Sequence, residues 1–328
     1  MSGGGRPTLL VLRALGLGDL CTAVPALRAL RRAHPDHHLV LAAPAWQEPL
    51  ARLVGVDEVA DTHGLETLPH RPEGIDVAVN LHGRGPQSSR LLTEVRPGRL
   101  VAFAHPEVAE TAGGPRWREE EHEVQRWCGL LTESGIPADP TELALPVPPA
   151  AEPWRRDAVV VHAGAASPAR QWPADRFARV VRVLSECGQD VLLTGGRAER
   201  ARCEEVVRLA HLRDERGSVE VVAGRTDLPT LAATVAAARA VICGDTGIAH
   251  LASAYRTPSV VLFGPTPPRW WGPPTDGPHR VLWTGRTGDP HGQRLDPGLA
   301  EIGVPEVLDE IGSLLGPVLV AEERRVRA

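Results

Sequence analysis

Short apolar runs alternate with amphipathic stretches along the first half of the chain. Continuous apolar segments predict buried strands at residues 8–14, 38–43 and 75–81. Apolar residues spaced three and four apart predict a helix that follows the glycine loop 16–18 and runs to about residue 33, and another at residues 117–134. Pro25 is expected near the first turn of the earlier helix, because a proline there loses no hydrogen bond. Strands separated by helices indicate a parallel sheet that is covered on both faces.

The pattern stops at a proline-rich segment and then begins again. Six prolines occur within the 17 residues 137–153, which favours an extended chain over helix or sheet. Further strands are predicted at residues 158–161, 190–193, 219–222, 240–243 and 259–263, with helices at 173–186 and from the glycine turn at 244 to about 254. We therefore predict an α/β protein with two Rossmann-like domains, residues 1–150 and 151–328, facing each other across a cleft.

Composition and charge exclude several classes of protein. The chain has 328 residues, of which 42% are hydrophobic, and this is enough for two cores. It has no apolar stretch long enough for an integral membrane segment. Residues 1–150 hold 14 arginines against 19 acidic residues, and the remainder holds 22 against 22. Neither half has the basic excess of a nucleic-acid-binding surface, so no nucleic acid partner is expected.

The cysteines indicate the compartment. There are five, an odd number, and no two form a Cys-x-x-Cys pair. This usage is typical of a reducing, cytoplasmic protein and gives no sign of a zinc site.

A glycine loop follows the first predicted strand. Gly16-Leu17-Gly18 opens the first helix, but the dinucleotide-binding pattern needs a third glycine where Cys21 stands. The second predicted strand also ends without the acidic residue that would hold a ribose, so no nicotinamide or other cofactor is expected. Asp19 remains as an acid at a helix N-terminus, where it is either a helix cap or a group that faces a ligand.

A second glycine turn, residues 244–250, opens a helix in the second domain. Thr246 and Gly247 would lie in its first turn and present free backbone N–H groups to a diphosphate. Asp245 would repel phosphate, so capping or holding a sugar hydroxyl is expected of it. His250 lies one turn further along and is either a ligand contact or a packed helix residue.

Three further loops carry polar side chains suited to a ligand. Arg170 would bind phosphate oxygens with two hydrogen bonds, unless it is a surface arginine. Glu199 would hold a ribose hydroxyl, unless it is a solvated helix start. His82 and Arg84 suit a polyhydroxylated acceptor, although an ordinary polar connection fits them equally well. The sequence has no Asp-x-Asp pair, so a metal that holds a nucleotide diphosphate is not indicated.

Together these loops resemble glycosyltransferase family 9, the heptosyltransferase family. The family's N-terminal Gly-Asp motif is similar to Gly18-Asp19, and its Phe-Gly-Pro-Thr and Trp-Pro steps match residues 263–266 and 172–173. Its Asp-Thr-Gly-x-x-His motif matches Asp245, Thr246, Gly247 and His250. The resemblance extends from about residue 8 to residue 312, and the two main motifs are specific in combination.

The resemblance implies the GT-B fold and an inverting, metal-independent transfer of a heptose, or a related sugar, from an ADP-sugar to an acceptor hydroxyl. Asp19 would be the general base, kept ionised by the helix dipole. The 245–250 loop would bind the donor, with Arg170 at the position of the family's phosphate-contacting lysine. We expect Glu199 on the donor side as well, and Gly18, His82 and Arg84 on the acceptor side.

The acceptor is the least determined part of the prediction. The resemblance implies that members which assemble lipopolysaccharide use a basic N-terminal domain, whereas acidic residues outnumber arginines in residues 1–150. A less anionic acceptor is therefore expected, either a sugar-containing one or a soluble small molecule. The alternatives are a GT-B-fold sugar-nucleotide epimerase or hydrolase, and a nucleotide-sugar-binding protein without catalysis. Asp19 favours the transferase, because a pure binding protein needs no acid in its site.

Overall fold

The computed structural model describes residues 6–65, 68, 74–149, 151–212 and 216–316. The chain divides into two compact units, Met1–Pro146 and Val147–Ala328. The division falls inside the proline-rich segment, four residues before the domain boundary expected from the sequence. The expected boundary residue, Ala150, lies outside the described residues.

The first unit is built on a parallel sheet. Its described strands are β1 (Thr8–Leu12), β2 (His38–Ala43), β3 (Glu58–Asp61), β4 (Val77–Asn80) and β5 (Arg99–Val101). They pair in the order β3-β2-β1-β4-β5, all parallel. The central strand β1 is buried over its whole length, as the continuous apolar run predicts. Strand β2 has its predicted bounds, and β1 and β4 are shorter than predicted.

The first unit has two described α-helices more than the sequence predicts, and one proline lies elsewhere than expected. The described α-helices are α1 (Leu17–Ala33), α2 (Glu48–Arg52), α3 (Gln87–Glu94) and α4 (Glu123–Glu133). Pro25 is the ninth residue of α1, so the expectation that it lies near the first turn is wrong. Its ring lacks the N–H that would bond to the carbonyl four residues earlier. The buried face of α1 and its packing against α4 keep the helix continuous despite that loss.

Helix α4 begins six residues later than the sequence predicts. Arg126 explains the delay. Its guanidinium lies 3.9 Å from the centroid of the Trp117 ring and donates to the backbone carbonyls of Arg118, Glu119 and Glu121. Since these carbonyls are bonded to a side chain, the segment before Glu123 stays out of the helix.

The second unit contains a larger parallel sheet. Its described strands are β6 (Val159–His162), β7 (Val191–Thr194), β8 (Val219–Val221), β9 (Ala240–Gly244), β10 (Ser259–Leu262) and β11 (His279–Leu282). The order is β11-β10-β9-β6-β7-β8, again all parallel. All five strands predicted here are present within one or two residues. Strand β11 was not predicted, because it is a half-exposed edge strand without an apolar run.

The helices of the second unit complete an alternating strand and helix pattern. They are α5 (Ala174–Glu186), α6 (Arg200–Ala210), α7 (Leu228–Ala236), α8 (Gly247–Tyr255), α9 (Pro268–Trp271), α10 (Pro297–Glu301) and α11 (Val304–Leu315). The predicted helix α5 begins within one residue of its expected start, and α8 ends within one residue of its expected end. Within the described ranges of the chain, no helix is both long and apolar enough to cross a membrane.

Each sheet reverses its strand order at its first strand. β1 lies between β2 and β4, and β6 lies between β7 and β9. In open α/β sheets, ligands bind at the carboxyl ends of the strands at such a switch point. The segments that follow β1 and β4 in the first unit, and β6 and β9 in the second, are therefore where a site is expected.

Candidate active site

Asp19 lies in the first turn of α1, directly after the switch point of the first sheet. Gly16 is the N-cap residue, and the backbone N–H of Gly16 donates to Asp19 Oδ2 over 3.1 Å. The cap predicted for Asp19 is thus present, as the carboxylate half of a capping box. This bond uses one carboxylate oxygen, and the side chain remains 25% exposed. The second oxygen, Oδ1, is directed at a buried arginine.

That arginine is Arg13, the first residue after β1, and its side chain is only 1% exposed. Nε donates to the Asp19 carbonyl over 2.7 Å, and Nη1 donates to the Leu81 carbonyl at the end of β4. Nη2 lies 3.3 Å from Asp19 Oδ1, 3.0 Å from Thr22 Oγ1 and 3.0 Å from Glu123 Oε1. Arg13 therefore joins both strands of the switch point to α1 and α4. The sequence analysis missed Arg13 and Glu123, although an arginine ending an apolar strand is a detectable signal.

The environment of Asp19 changes its ionisation. Burial raises the pKa of the Asp19 carboxyl, the positive charge of Arg13 opposes the rise, and the negative charge of Glu123 adds to it. The net pKa lies above the ordinary value for aspartate. Desolvation thus outweighs the contacts that favour the ionised form, and the expected ionisation of Asp19 at neutral pH stays a prediction. The result is a carboxylate that binds a proton more readily than a solvated aspartate does.

The loop after β4 contains the two predicted acceptor-binding side chains. Buried Asn80 accepts the backbone N–H of His82 over 3.0 Å and donates to the hydroxyls of Ser88 and Ser89. Burial and the nearby charge of Arg13 lower the pKa of His82 to about 4. Its Nδ1 is shielded and has no partner among the described residues. Arg84, in contrast, is 56% exposed and pairs with Glu119 over 2.7 Å.

In the second unit, Arg170 and Asp245 meet at the switch point between β6 and β9. Arg170 ends a short 3-10 turn, Pro168–Arg170, and its side chain is 22% exposed. Nη1 lies 3.2 Å from the Asp245 carbonyl and 3.6 Å from Asp245 Oδ2. Its Nε is shielded and has no partner among the described residues. Arg170 is thus held in place, unlike a freely solvated surface arginine.

The contact with Arg170 changes the interpretation of Asp245. Capping or holding a sugar hydroxyl is expected of it from the sequence, but its buried carboxylate lies beside a guanidinium. A buried carboxylate needs such a cation, because an uncompensated charge is costly away from water. The contact therefore compensates the charge of the buried Asp245 carboxylate, close to the N-terminus of α8.

Helix α8 presents its N-terminus beside this pair. Thr246 is the N-cap in extended conformation, Gly247 is the first helical residue, and no described side chain caps the helix. Uncapped first-turn N–H groups are suited to an anion. His250 is 9% exposed, and its ring packs edge-on against Trp271 with 5.7 Å between centroids. The packing expected as the alternative for His250 is therefore observed.

Glu199 lies over the loops that follow β6 and β7. Its Oε2 accepts the backbone N–H of Gly196 over 2.7 Å, and its Oε1 is 3.9 Å from His162 Nε2. A Cβ on Gly164 would meet this carboxylate, so Glu199 lies close against the backbone of the loop after β6. Burial lowers the pKa of His162, against the opposing charge of Glu199. Sequence reasoning did not predict the contact between His162 and Glu199, because His162 ends a strand but belongs to no motif.

Across the described parts of both units, no three His, Cys, Asp or Glu side chains group as metal ligands would. The structure thus brings Asp19 and the His82 loop together through Arg13, and Arg170 together with the 245–247 turn. Arg170 follows β6 and Glu199 follows β7. Because these strands are parallel neighbours, both residues lie at the carboxyl ends of the strands of this sheet.

Comparison with known proteins gives the class and the family. The sequence model of glycosyltransferase family 9 (heptosyltransferase) matches residues 116–291. Lipopolysaccharide heptosyltransferase 2 of Salmonella typhimurium is 26% identical, over 94% of this chain and 98% of that protein. The solved E. coli ADP-heptose LPS heptosyltransferase II superposes with a TM-score of 0.74 at 22% identity, over 96% of this chain and 99% of that one. E. coli heptosyltransferase WaaC with ADP-2-deoxy-2-fluoro heptose gives 0.67 at 16% identity, over 93% and 99%.

The two parallel α/β units and these structural likenesses define a glycosyltransferase of the GT-B fold, as predicted. The family match covers more than half of the sequence, and the chain belongs to glycosyltransferase family 9, the heptosyltransferase family. The predicted family and enzyme class are thereby confirmed. The roles of the individual site residues stay predictions.

Proposed function

We propose that this protein catalyses the inverting, metal-independent transfer of a heptose, or a related sugar, from an ADP-sugar to an acceptor hydroxyl. The observation that carries the proposal is the partly buried Asp19 carboxylate, because transfer needs a base that binding alone does not. The five cysteines, all in the described part of the chain, form no disulfide and are buried, which supports a reducing, cytoplasmic site of action.

Asp19 acts as the base in this mechanism. Its Oδ2 is held by the Gly16 N–H, while Oδ1 has only the long contact with Arg13 and can accept the proton of the acceptor hydroxyl. As the proton passes to Oδ1, the acceptor oxygen forms a bond to the anomeric carbon. The bond from that carbon to the diphosphate breaks, and ADP leaves from the opposite face. The raised pKa strengthens the base.

The second unit binds the donor. The Arg170 guanidinium, on a side chain that is 22% exposed, and the uncapped N–H groups at Gly247 supply positive charge for the diphosphate. Thr246 provides a hydroxyl at the same place, and Asp245 holds Arg170. We assign Glu199 to the ribose hydroxyls, and His250 to the support of α8 and the donor sugar. The donor class follows the related enzymes, whose solved structures name ADP-heptose and an ADP-linked fluoro-heptose.

The acceptor binds at the first unit. Gly18 directly precedes Asp19 and is half-buried, and His82 offers a neutral imidazole on the loop after β4. Arg84 supplies an exposed donor further out. Because acidic residues outnumber arginines in residues 1–150, a sugar-containing or small-molecule acceptor of low negative charge fits better than a highly phosphorylated one.

A ligand panel followed by product analysis tests the proposal. ADP-heptose should raise the melting temperature more than UDP-glucose or NAD does, since a ligand at 100 times its dissociation constant stabilises by about 2.7 kcal/mol. With ADP-heptose and a mixture of simple glycosides as acceptors, NMR should show the anomeric configuration inverted in the product. EDTA should leave the rate unchanged.

Other results would contradict distinct parts of the proposal. Stronger stabilisation by NAD would contradict the donor class, and retained configuration would contradict the mechanism. Loss of activity in EDTA would contradict metal independence. ADP release to water alone would favour a hydrolase, and binding without turnover would favour a nucleotide-sugar-binding protein.

A further inference from the structure

One nitrogen of Arg13 has more acceptors around it than hydrogens to give them. Nη2 lies 3.0 Å from Thr22 Oγ1, 3.0 Å from Glu123 Oε1 and 3.3 Å from Asp19 Oδ1. A guanidinium Nη carries two hydrogens, so it cannot donate to three acceptors at full strength. The contact with Asp19 is the longest of the three. Thr22 and Glu123 therefore compete with the Asp19 carboxylate for Arg13.

The rest of Arg13 cannot turn toward Asp19. Nε is bonded to the Asp19 backbone carbonyl and Nη1 to the Leu81 carbonyl. The Arg13 guanidinium also lies 4.8 Å from the centroid of the Trp127 ring. Because these contacts fix its plane, Arg13 cannot form the two-bond ion pair that arginine usually makes with a carboxylate.

Glu123 is fixed as firmly as Arg13. It is 8% exposed, accepts the Trp127 indole N–H at Oε1 over 2.8 Å, and lies 3.3 Å from Arg126 Nε through Oε2. Arg126 is itself held by backbone carbonyls before α4. Asp19 therefore has no means of displacing Glu123 from Arg13.

We propose that Glu123 is a positioning residue that withholds Arg13 from Asp19, and so keeps the Asp19 carboxylate basic and open to the acceptor hydroxyl. This inference rests on the proposed role of Asp19 as the base. Without the charge of Glu123, the Nη2 hydrogens that three acceptors now share would be given more fully to Asp19 Oδ1. This stronger single contact would stabilise the ionised carboxylate and weaken it as a base.

Few other charges act on Asp19. His82 lies near Arg13, but its pKa of about 4 keeps it neutral near neutral pH. The Cys21 thiol, on the same helix as Asp19, has its pKa raised to about 12 by burial and by Asp19 itself. Arg126 faces Glu123 from α4. Arg13 and Glu123 are thus the charges that set the basicity of Asp19, with opposite signs.

The test compares Glu123→Gln with Glu107→Gln. The first substitution keeps the size and an acceptor oxygen but removes the charge, whereas Glu107 is exposed and pairs with Arg90. The Asp19 carboxyl is titrated by carbon-13 NMR, with Asp19→Asn giving the assignment. We expect the E123Q variant to lower the Asp19 titration midpoint and the acid limb of kcat by about half to one pH unit. Plateau kcat should fall roughly threefold as the base weakens, and E107Q should change neither.

A midpoint that stays in place or rises in E123Q would overturn the inference. A midpoint that falls while Asp19→Asn retains full activity would support the competition for Arg13 and contradict the base role instead. Should E123Q fail to fold, Thr22→Val removes another acceptor of Nη2 at nearly constant shape. It should lower the same midpoint by a smaller amount, and an unchanged midpoint would count against the competition.

Discussion

Two arginines, Arg13 in the first unit and Arg170 in the second, differ in how much of their bonding capacity the protein itself uses. All three nitrogens of Arg13 are bonded to protein groups, and its side chain is 1% exposed. Arg170 contacts Asp245 through Nη1, keeps a shielded Nε without a partner among the described residues, and is 22% exposed. The first is built into the fold, whereas the second keeps hydrogen-bonding capacity for a ligand.

The difference follows from where each arginine lies. Arg13 directly follows the central strand β1, where α1 and α4 close over it. Arg170 ends a short turn at the edge of β6 and β9, beside a helix N-terminus that no described side chain caps. The side-chain charge is the same in both cases, so the two arginines differ by burial. We propose that Arg13 positions a base and that Arg170 meets an anion. Substitutions in the two regions should therefore affect different measurements.

The largest effect is expected on kcat when the Asp19 carboxylate, which contacts Arg13, is replaced. Asp19→Asn should lower kcat by about 10²–10⁴, because the acceptor proton loses its base. The amide oxygen can still accept the Gly16 N–H, so donor affinity and melting temperature should stay near those of the wild type. The exposed Asp36→Asn serves as control. If Asp19→Asn retains more than about a tenth of the wild-type kcat, Asp19 is not the base and serves only as a helix cap.

Replacing Arg13 should act on stability. Arg13→Met leaves two carboxylates, Asp19 and Glu123, without their shared cation, and breaking a buried pair costs about 3–5 kcal/mol. Urea denaturation measures the loss. Arg84→Met, at an exposed ion pair, should change stability by less than about 0.5 kcal/mol. Equal losses in the two variants would contradict the structural role of Arg13.

Replacing Arg170 should act on donor affinity. Arg170→Ala should weaken ADP-heptose binding roughly 10- to 100-fold, about 1.5–3 kcal/mol, the range for a hydrogen bond to a charged group. Isothermal titration calorimetry measures it, with the exposed Arg179→Ala of α5 as control. An unchanged dissociation constant in Arg170→Ala would remove Arg170 from the donor site.

A smaller effect is expected on the acceptor side. The double variant His82→Ala, Arg84→Ala should raise the acceptor KM a few-fold, since a neutral hydrogen bond contributes about 0.5–1.5 kcal/mol. Donor affinity should not change. If donor affinity falls and the acceptor KM does not, the loop after β4 belongs to the donor half of the site.

The smallest expected effect is an absence of pH dependence. The pKa of His82 is lowered to about 4 from 6.5, so His82 is neutral well below neutral pH. The acceptor KM should therefore be flat from about pH 6 to 8, the range in which an ordinary histidine titrates. A change in the acceptor KM near pH 6.5, the ordinary pKa of histidine, would show that His82 is solvated.

The sequence by itself determined eight of the described strands, four of the helices and the loops in which polar side chains concentrate. Continuous apolar runs predicted β1, β2 and β9, and the glycine turns predicted the N-termini of α1 and α8. These patterns are local, because the spacing of apolar residues within a short stretch of sequence is enough to indicate a strand or a helix. The motifs around Asp19 and Asp245 are local as well, and they carried the correct family.

Tertiary structure decided what those residues touch. Pro25 lies inside α1 because packing against α4 holds the helix, although local propensity disfavours proline there. Arg13 and Glu123 are 110 residues apart in the chain and meet only because α4 packs on α1 at the switch point. Asp245, expected to cap a helix or hold a sugar, contacts Arg170 because the two residues follow the neighbouring strands β9 and β6. Burial and charge pairing depend on which strand ends come together, and no local pattern along the chain records that.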